Sequence, residues 1–194
     1  MDGVIRAVVF DMDGTITVPL LDFPLIKAEI GAPPDKGLLE SLSDMEPSGR
    51  VLAEEILLRH EVEAARKSRM NDGVAEALGE LASMRLMTAI LTRNCRRSVD
   101  IVLRKHGLSF DAVVTREDSL PKPDPDGMLT AAWRMGVRPD ACVLVGDYEF
   151  DIRSGRAAGA VTVLYSPDGR SFQTQPDFCI RSMRELPAIV RRLT

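Results

Sequence analysis

Residues 8–15 read Val8-Val9-Phe10-Asp11-Met12-Asp13-Gly14-Thr15, and the fold turns on how this stretch is read. Val4, Ile5, Ala7, Val8, Val9 and Phe10 form a short apolar run of the kind expected in a strand covered on both faces. The run stops abruptly at two carboxylates, Asp11 and Asp13, followed by Gly14 and Thr15. A core strand ending in paired acids and a glycine sets those acids at the carboxyl edge of a sheet, where open α/β sheets bind their ligands. A plain Asp-Gly turn uses the same residue types, so the rest of the chain must decide.

Immediately downstream the pattern changes. Pro19 and Pro24 interrupt regular structure, residues 25–30 read as a short helix stopped by Gly31, and 36–43 as a second one. A longer helix starts at Ser48, with Val51, Ile56, Leu58, Val62 and Ala65 at helical spacing and with Glu55/Arg59 and Glu63/Lys67 as i,i+4 pairs. Residues 16–70 are thus expected to form a small all-helical insertion, with Arg59, His60, Arg66, Lys67 and Arg69 on a solvated face. Helix and strand then alternate. Asn71 or Asp72 is expected to cap a helix carrying Val74, Leu78, Leu81 and Ala82, and strands are expected at 87–92, 111–115, 141–145 and 160–165. Helices are expected at 95–106, around Met128, Leu129, Ala132 and Trp133, and at 150–158 and 183–193. This order predicts an α/β fold, a Rossmann-like parallel sheet with helices on both faces. The core would comprise 1–15 and 71–194, with 16–70 inserted after the first strand.

Composition sets the outer limits. With 194 residues, 45% of them hydrophobic, the chain can bury a core of its own. A formal charge of −4 gives no electrostatic reason to expect a nucleic-acid partner. Three dispersed cysteines, Cys95, Cys142 and Cys179, fit neither a disulfide framework nor a zinc pattern. No basic-then-apolar leader and no run long enough for a bilayer is present, so a cytoplasmic protein without a membrane partner is expected.

The strand ends carry the chemistry. Asp11 and Asp13 follow the first expected strand, Thr92 ends the second, Lys122 lies in the proline-rich loop after the third, and Asp147 and Asp151 follow the fourth. In a parallel sheet these ends share one edge, so they can converge. A carboxylate can attack phosphorus and form an acyl phosphate. Asp11 would need Lys122 and a divalent cation nearby to stay ionised among other acids. Mg²⁺ suits such a site, with Asp11, Asp147 and the backbone carbonyl of Asp13 as protein ligands. Asp151 would orient metal-bound water or hold Lys122. The Asp13 side chain could protonate the leaving oxygen and later activate water. Thr92 would bind the non-bridging oxygens. Arg93 could add a bidentate phosphate or carboxylate contact. Cys95, at a helix start, reads as an inert thiol, since nothing pairs with it.

Four motifs carry a family resemblance: FDMDGT from Phe10, ILT ending at Thr92, the Lys122-Pro123 pair, and GDYEFD from Gly146 to Asp151. On these the chain resembles the haloacid dehalogenase superfamily, in its phosphatase branch with a small helical cap, and is phosphoglycolate phosphatase-like. The resemblance implies Asp11 as nucleophile, Asp13 as acid/base, Thr92 and Lys122 as phosphate binders and Asp147 as a magnesium ligand. It also implies that 16–70 is a lid over a small phosphorylated substrate. Dehalogenation needs no acid for its leaving group, so Asp13 favours phosphate ester hydrolysis. A phosphomutase shares all four motifs. Receiver domains combine similar residues, but their phosphoacceptor follows the third strand, where this chain has Thr115-Arg116. A scaffold that binds phosphorylated ligands without turnover is the remaining alternative, against which the intact Asp11/Asp13 pair speaks.

Overall fold

The computed structural model describes residues 4–194, so the first three residues of the expected 1–15 segment lie outside it. Over the described residues the chain forms, in order, β1 (Ala7–Phe10), α1 (Phe23–Glu29), α2 (Leu38–Ser43), α3 (Pro47–Lys67), α4 (Val74–Ser83), β2 (Met87–Leu91), α5 (Arg96–His106) and β3 (Ala112–Val114). There follow α6 (Asp126–Arg134), β4 (Cys142–Gly146), α7 (Glu149–Ala158), β5 (Val161–Tyr165), β6 (Phe178–Ile180) and α8 (Leu186–Leu193). The strands make one parallel sheet in the order β3-β2-β1-β4-β5-β6. The expected α/β class with a doubly covered parallel sheet is what the chain adopts.

All four residues of β1 are buried, because side chains alternate between two covered faces. Val8 and Phe10 point to one side and join Val143, Val145 and Val163 against Val74, Ala77 and Leu81 of α4 and Leu186 and Val190 of α8. Ala7 and Val9 point to the other, with Ala89, Leu91 and Leu144, and meet Met128, Ala131 and Ala132 of α6. Each large aliphatic side chain so buried contributes roughly 1.5–3 kcal/mol. Phe10 lies opposite Ile90 and Val145, so the residues that follow β1, β2 and β4 emerge at one edge.

The chain leaves this core after Thr17 and returns at Met70. The two crossings lie side by side, with Val18 N–H donating to the Arg69 carbonyl (2.8 Å) and Asn71 N–H to that of Ile16 (2.9 Å). Between them α1, α2 and α3 enclose a separate small core of Ile26, Leu38, Leu42, Ala53 and Leu57. The end of α3 is pinned to α5, since the Lys105 ammonium donates to the carbonyls of Arg66 (2.6 Å) and Ser68 (2.8 Å). Those carbonyls are otherwise left over at a helix C-terminus.

Several local expectations need correction. Pro24 does not break structure; it sits in the first turn of α1, where its missing N–H costs nothing, and Asp22 caps that turn. The buried stripe of α3 is Ala53, Leu57, Glu61 and Ala65, with Val62 beside it, whereas Val51 is 59% exposed. Glu63/Lys67 pairs at 2.6 Å as expected, but Arg59 reaches Glu29 of α1 instead of Glu55. Neither Asn71 nor Asp72 caps α4: the N-cap is Gly73, and the Asn71 side chain is used elsewhere. Trp133 lies outside the core, 79% exposed, because α6 buries its small residues against the sheet. The edge strand β6 was not expected; three residues preceded by Pro176 and Asp177 give too little periodicity to read. Among the described residues no helix is long and apolar enough to cross a membrane.

Candidate active site

At the carboxyl edge of the sheet, Asp11, Asp13, Thr92, Arg93, Lys122, Asp147 and Asp151 all line one cleft of about 470 Å³. Its opposite wall comes from the insertion, including Leu21, Phe23, Leu38 and Leu57. Residues spread from position 11 to position 151 are thus brought together, and each is held by its local backbone. Asp11 N–H donates to the Val145 carbonyl (2.9 Å) and Thr92 N–H to that of Val114 (3.0 Å), continuing the sheet ladder one residue past the strands.

Lys122 is the hub. It is 2% exposed, and its ammonium donates to Asp11 Oδ1 (2.6 Å), Asp151 Oδ1 (2.5 Å) and the Leu91 carbonyl (2.9 Å). All three ammonium protons have acceptors, as a buried cation requires. Its two carboxylates hold it firmly protonated against the cost of burial. The second oxygen of Asp151 accepts from Tyr148 N–H (3.1 Å) at the start of α7.

Asp13 is oriented by two donors, Asn94 Nδ2 to Oδ2 (2.5 Å) and Thr17 Oγ1 to Oδ1 (3.0 Å). Burial raises its pKa, and the two donors offset that only in part. The loop that carries it is stitched by Asn71, whose Nδ2 donates to the carbonyls of Gly14 (3.1 Å), Thr15 (2.9 Å) and Thr17 (3.1 Å). Gly14 adopts φ +89°, and a Cβ there would collide with the Asp147 carboxylate. Glycine is required on both counts, and its absence of side chain lets Asp147 lie over the Asp13-Gly14 backbone.

The charge balance of the cleft is informative. Asp11, Asp147 and Asp151 face a single buried ammonium, with Arg170 approaching Asp147 only to 4.0 Å. Burial and the other acids push the Asp11 carboxyl well above its ordinary value despite Lys122. Burial and Asp151 likewise push Asp147 up to about 6. A divalent cation would relieve this repulsion. The available donors are all hard oxygens, without histidine or cysteine, and so suit Mg²⁺. Among the described residues no group of three or more His, Cys, Asp or Glu is placed to hold a metal ion by itself.

Arg93, expected to make a bidentate phosphate or carboxylate contact, instead pairs with a carboxylate of the chain itself through a single nitrogen. Its Nη2 donates to both oxygens of Glu40 (2.9 and 2.8 Å) and its Nη1 to the Lys122 carbonyl (3.1 Å). Burial and the neighbouring Glu61 carboxylate push the Cys95 thiol up to about 11, which opposes thiolate formation. Asn94, Thr17 and Arg170 were not singled out from sequence, and Asn71 only as a helix cap; Asn94 and Thr17, two residues past Thr92 and Thr15, lie close enough to a motif to have been found. Glu61 was also missed. It is 2% exposed, paired with Arg116, and accepts from Cys95 N–H (3.3 Å).

The haloacid dehalogenase-like hydrolase family model matches residues 30–165, a span that takes in Thr92, Lys122, Asp147 and Asp151. A haloacid dehalogenase-like hydrolase domain-containing protein of Arabidopsis thaliana is 32% identical over 203 residues, covering 94% of this chain and 82% of its own. N-acetylmuramic acid 6-phosphate phosphatase of Pseudomonas aeruginosa is 30% identical over 181 residues, 81% of this chain and 80% of its own. A subfamily IA hydrolase of the same superfamily from Geobacter sulfurreducens superposes with a TM-score of 0.67 at 25% identity, over 97% of this chain and 98% of its own. The chain belongs to the haloacid dehalogenase-like hydrolase family.

Proposed function

We propose that this enzyme hydrolyses a small phosphorylated metabolite, with Asp11 as nucleophile, and that it depends on Mg²⁺. The observation that carries the reading is the arrangement around Lys122: one ammonium holds Asp11 and Asp151 at 2.6 and 2.5 Å on the wall of a cleft open to substrate. Lys122 leaves Asp11 Oδ2 free of this contact and oriented by the other oxygen. That oxygen attacks phosphorus while the ester P–O bond breaks, and the departing alkoxide takes a proton from the Asp13 carboxyl. Water then attacks the acyl phosphate, Asp13 receives its proton, and the P–O bond to Asp11 breaks to release inorganic phosphate. Asn94 and Thr17 keep Asp13 in reach for both transfers. The raised pKa of Asp13 suits a group that must carry a proton at neutral pH.

Thr92 and Lys122 hold the non-bridging oxygens, where negative charge gathers in the transition state. Asp11, Asp147 and the Asp13 carbonyl are the groups that would hold Mg²⁺, which when bound neutralises the acids and the substrate phosphate. The helical insertion 16–70 serves as a cap, excluding water and shaping the distal part of the substrate. Its Leu21, Phe23, Leu38 and Leu57 line the cleft and support that role. Hydrolysis of p-nitrophenyl phosphate and of a panel of phosphorylated metabolites tests the reading. Activity should require Mg²⁺, vanish with EDTA and vanish in a folded Asp11→Asn variant. Metal-independent turnover, or substantial turnover in Asp11→Asn, would contradict it.

A further inference from the structure

We propose that Glu40 is a specificity-determining residue. By taking the Nη2 group of Arg93, it withholds that end of the guanidinium from substrate and turns the enzyme away from phosphomonoesters with a second anion beside the ester oxygen. The inference rests on the phosphatase reading above. Arg93 follows Thr92 directly and lines the cleft. An arginine fork matches a carboxylate or a phosphate with two parallel hydrogen bonds, so at this place it is suited to receive an anionic part of a substrate. Here the chain supplies the anion. The Arg93 Nη2 group donates to both oxygens of Glu40, at 2.9 and 2.8 Å. Nη1 donates to the Lys122 carbonyl at 3.1 Å, and the guanidinium lies over the Phe150 ring at 4.8 Å from its centroid.

The Glu40 carboxylate occupies a prepared position. It lies in the first turn of α2 and folds back over Gly37, whose backbone is extended and needs no glycine for its angles. The requirement is for space, because a Cβ on Gly37 would collide with that carboxylate. The arginine is therefore paired by an element of the insertion, whose wall nearby offers Leu21, Phe23 and Leu38 beside two lysines already engaged, Lys27 on the Pro34 carbonyl (2.8 Å) and Lys36 with Asp44. The favoured class is the phosphate monoester of a neutral alcohol.

The test compares two substrates of the same length, 2-phosphoglycolate with its carboxylate and 2-hydroxyethyl phosphate with a neutral hydroxyl. The measurement is the ratio of their kcat/KM values with Mg²⁺ in wild type, Glu40→Gln, Arg93→Met and the double variant. Glu40→Gln should raise the ratio roughly tenfold, the worth of about one freed charge-assisted contact. The gain should disappear in the double variant, and Arg93→Met alone should leave the ratio at its wild-type value because Nη2 is already committed to Glu40. A ratio within twofold of wild type in Glu40→Gln, or a gain that survives loss of Arg93, overturns the proposal. A purely structural tie between α2 and the core would lower both substrates equally and so also counts against it. Should Glu40→Gln fail to fold, Glu40→Asp, one methylene too short for the fork, is read by the same ratio. Failure of wild type to hydrolyse either substrate or p-nitrophenyl phosphate would sink the phosphatase reading itself, a distinct result from an unmoved ratio.

Discussion

Replacing Lys122 by methionine keeps an unbranched side chain, one heavy atom shorter, and removes the ammonium that touches Asp11, Asp151 and the Leu91 carbonyl. Two buried carboxylates are then left facing one another, with Asp147 close enough to add to the repulsion. Removing one partner of a buried ion pair costs roughly 3–5 kcal/mol. A second route gives a similar figure. The variant can relieve the repulsion by taking up one proton, and holding a carboxyl protonated against its ordinary value of 3.8 costs about 4 kcal/mol at pH 7, at ~1.36 kcal/mol per pH unit. At pH 5 the same cost is about 1.6 kcal/mol. Because burial already raises Asp11 in the wild type, these are upper values. The sign follows from linkage: a carboxyl whose folded pKa lies above its unfolded value destabilises the fold as pH rises through the folded pKa. The deficit must therefore shrink on acidification. Urea denaturation of wild type and Lys122→Met in EDTA, at pH 7 and pH 5, reads it directly. A deficit below about 1 kcal/mol at pH 7, or one that grows at pH 5, would refute the buried-hub argument.

Other perturbations probe the remaining contacts. Gly14→Ala forces a side chain into the left-handed region at φ +89° and against Asp147; it should cost about 1–2 kcal/mol from the backbone alone and lower kcat/KM more than it lowers Tm would suggest. Arg116→Met strands the buried Glu61 and should destabilise by roughly 3 kcal/mol. Adding Glu61→Leu should recover most of that loss in chemical denaturation, because no uncompensated charge remains. Asp13→Asn should slow alkyl phosphates by about 10²–10⁴-fold but p-nitrophenyl phosphate much less, since a good leaving group needs no proton. Equal losses on both would argue against Asp13 as the acid.

Much of the fold was legible because the parallel sheet writes itself as short apolar runs, each ending in a polar residue at the same edge. Asp11, Thr92 and Asp147 could be named because each directly follows such a run. What escaped was set by tertiary contact. Glu61 sits where helical periodicity would place an apolar residue, and Arg116, arriving from the loop after β3, and the Cys95 N–H make its burial tolerable. Asn71 looked like a helix cap because its chemistry suits one, yet three carbonyls of the Asp13 loop compete for its amide and win. Val51 and Trp133 show the converse, apolar residues at plausible spacing that the packing leaves outside. Arg93 was recognised as a bidentate donor, but no reading of residues 92–94 could say that Glu40, more than fifty positions earlier, is its acceptor.

The account depends above all on Asp11 becoming phosphorylated. Wild-type enzyme mixed with a phosphorus-labelled monoester and Mg²⁺, quenched in acid within a turnover and reduced with borohydride, should yield a peptide in which residue 11 alone has been converted to homoserine. Asp11→Asn should give no such peptide and no turnover. Full hydrolytic activity with residue 11 unmodified, or reduction mapping to another carboxylate, would contradict it.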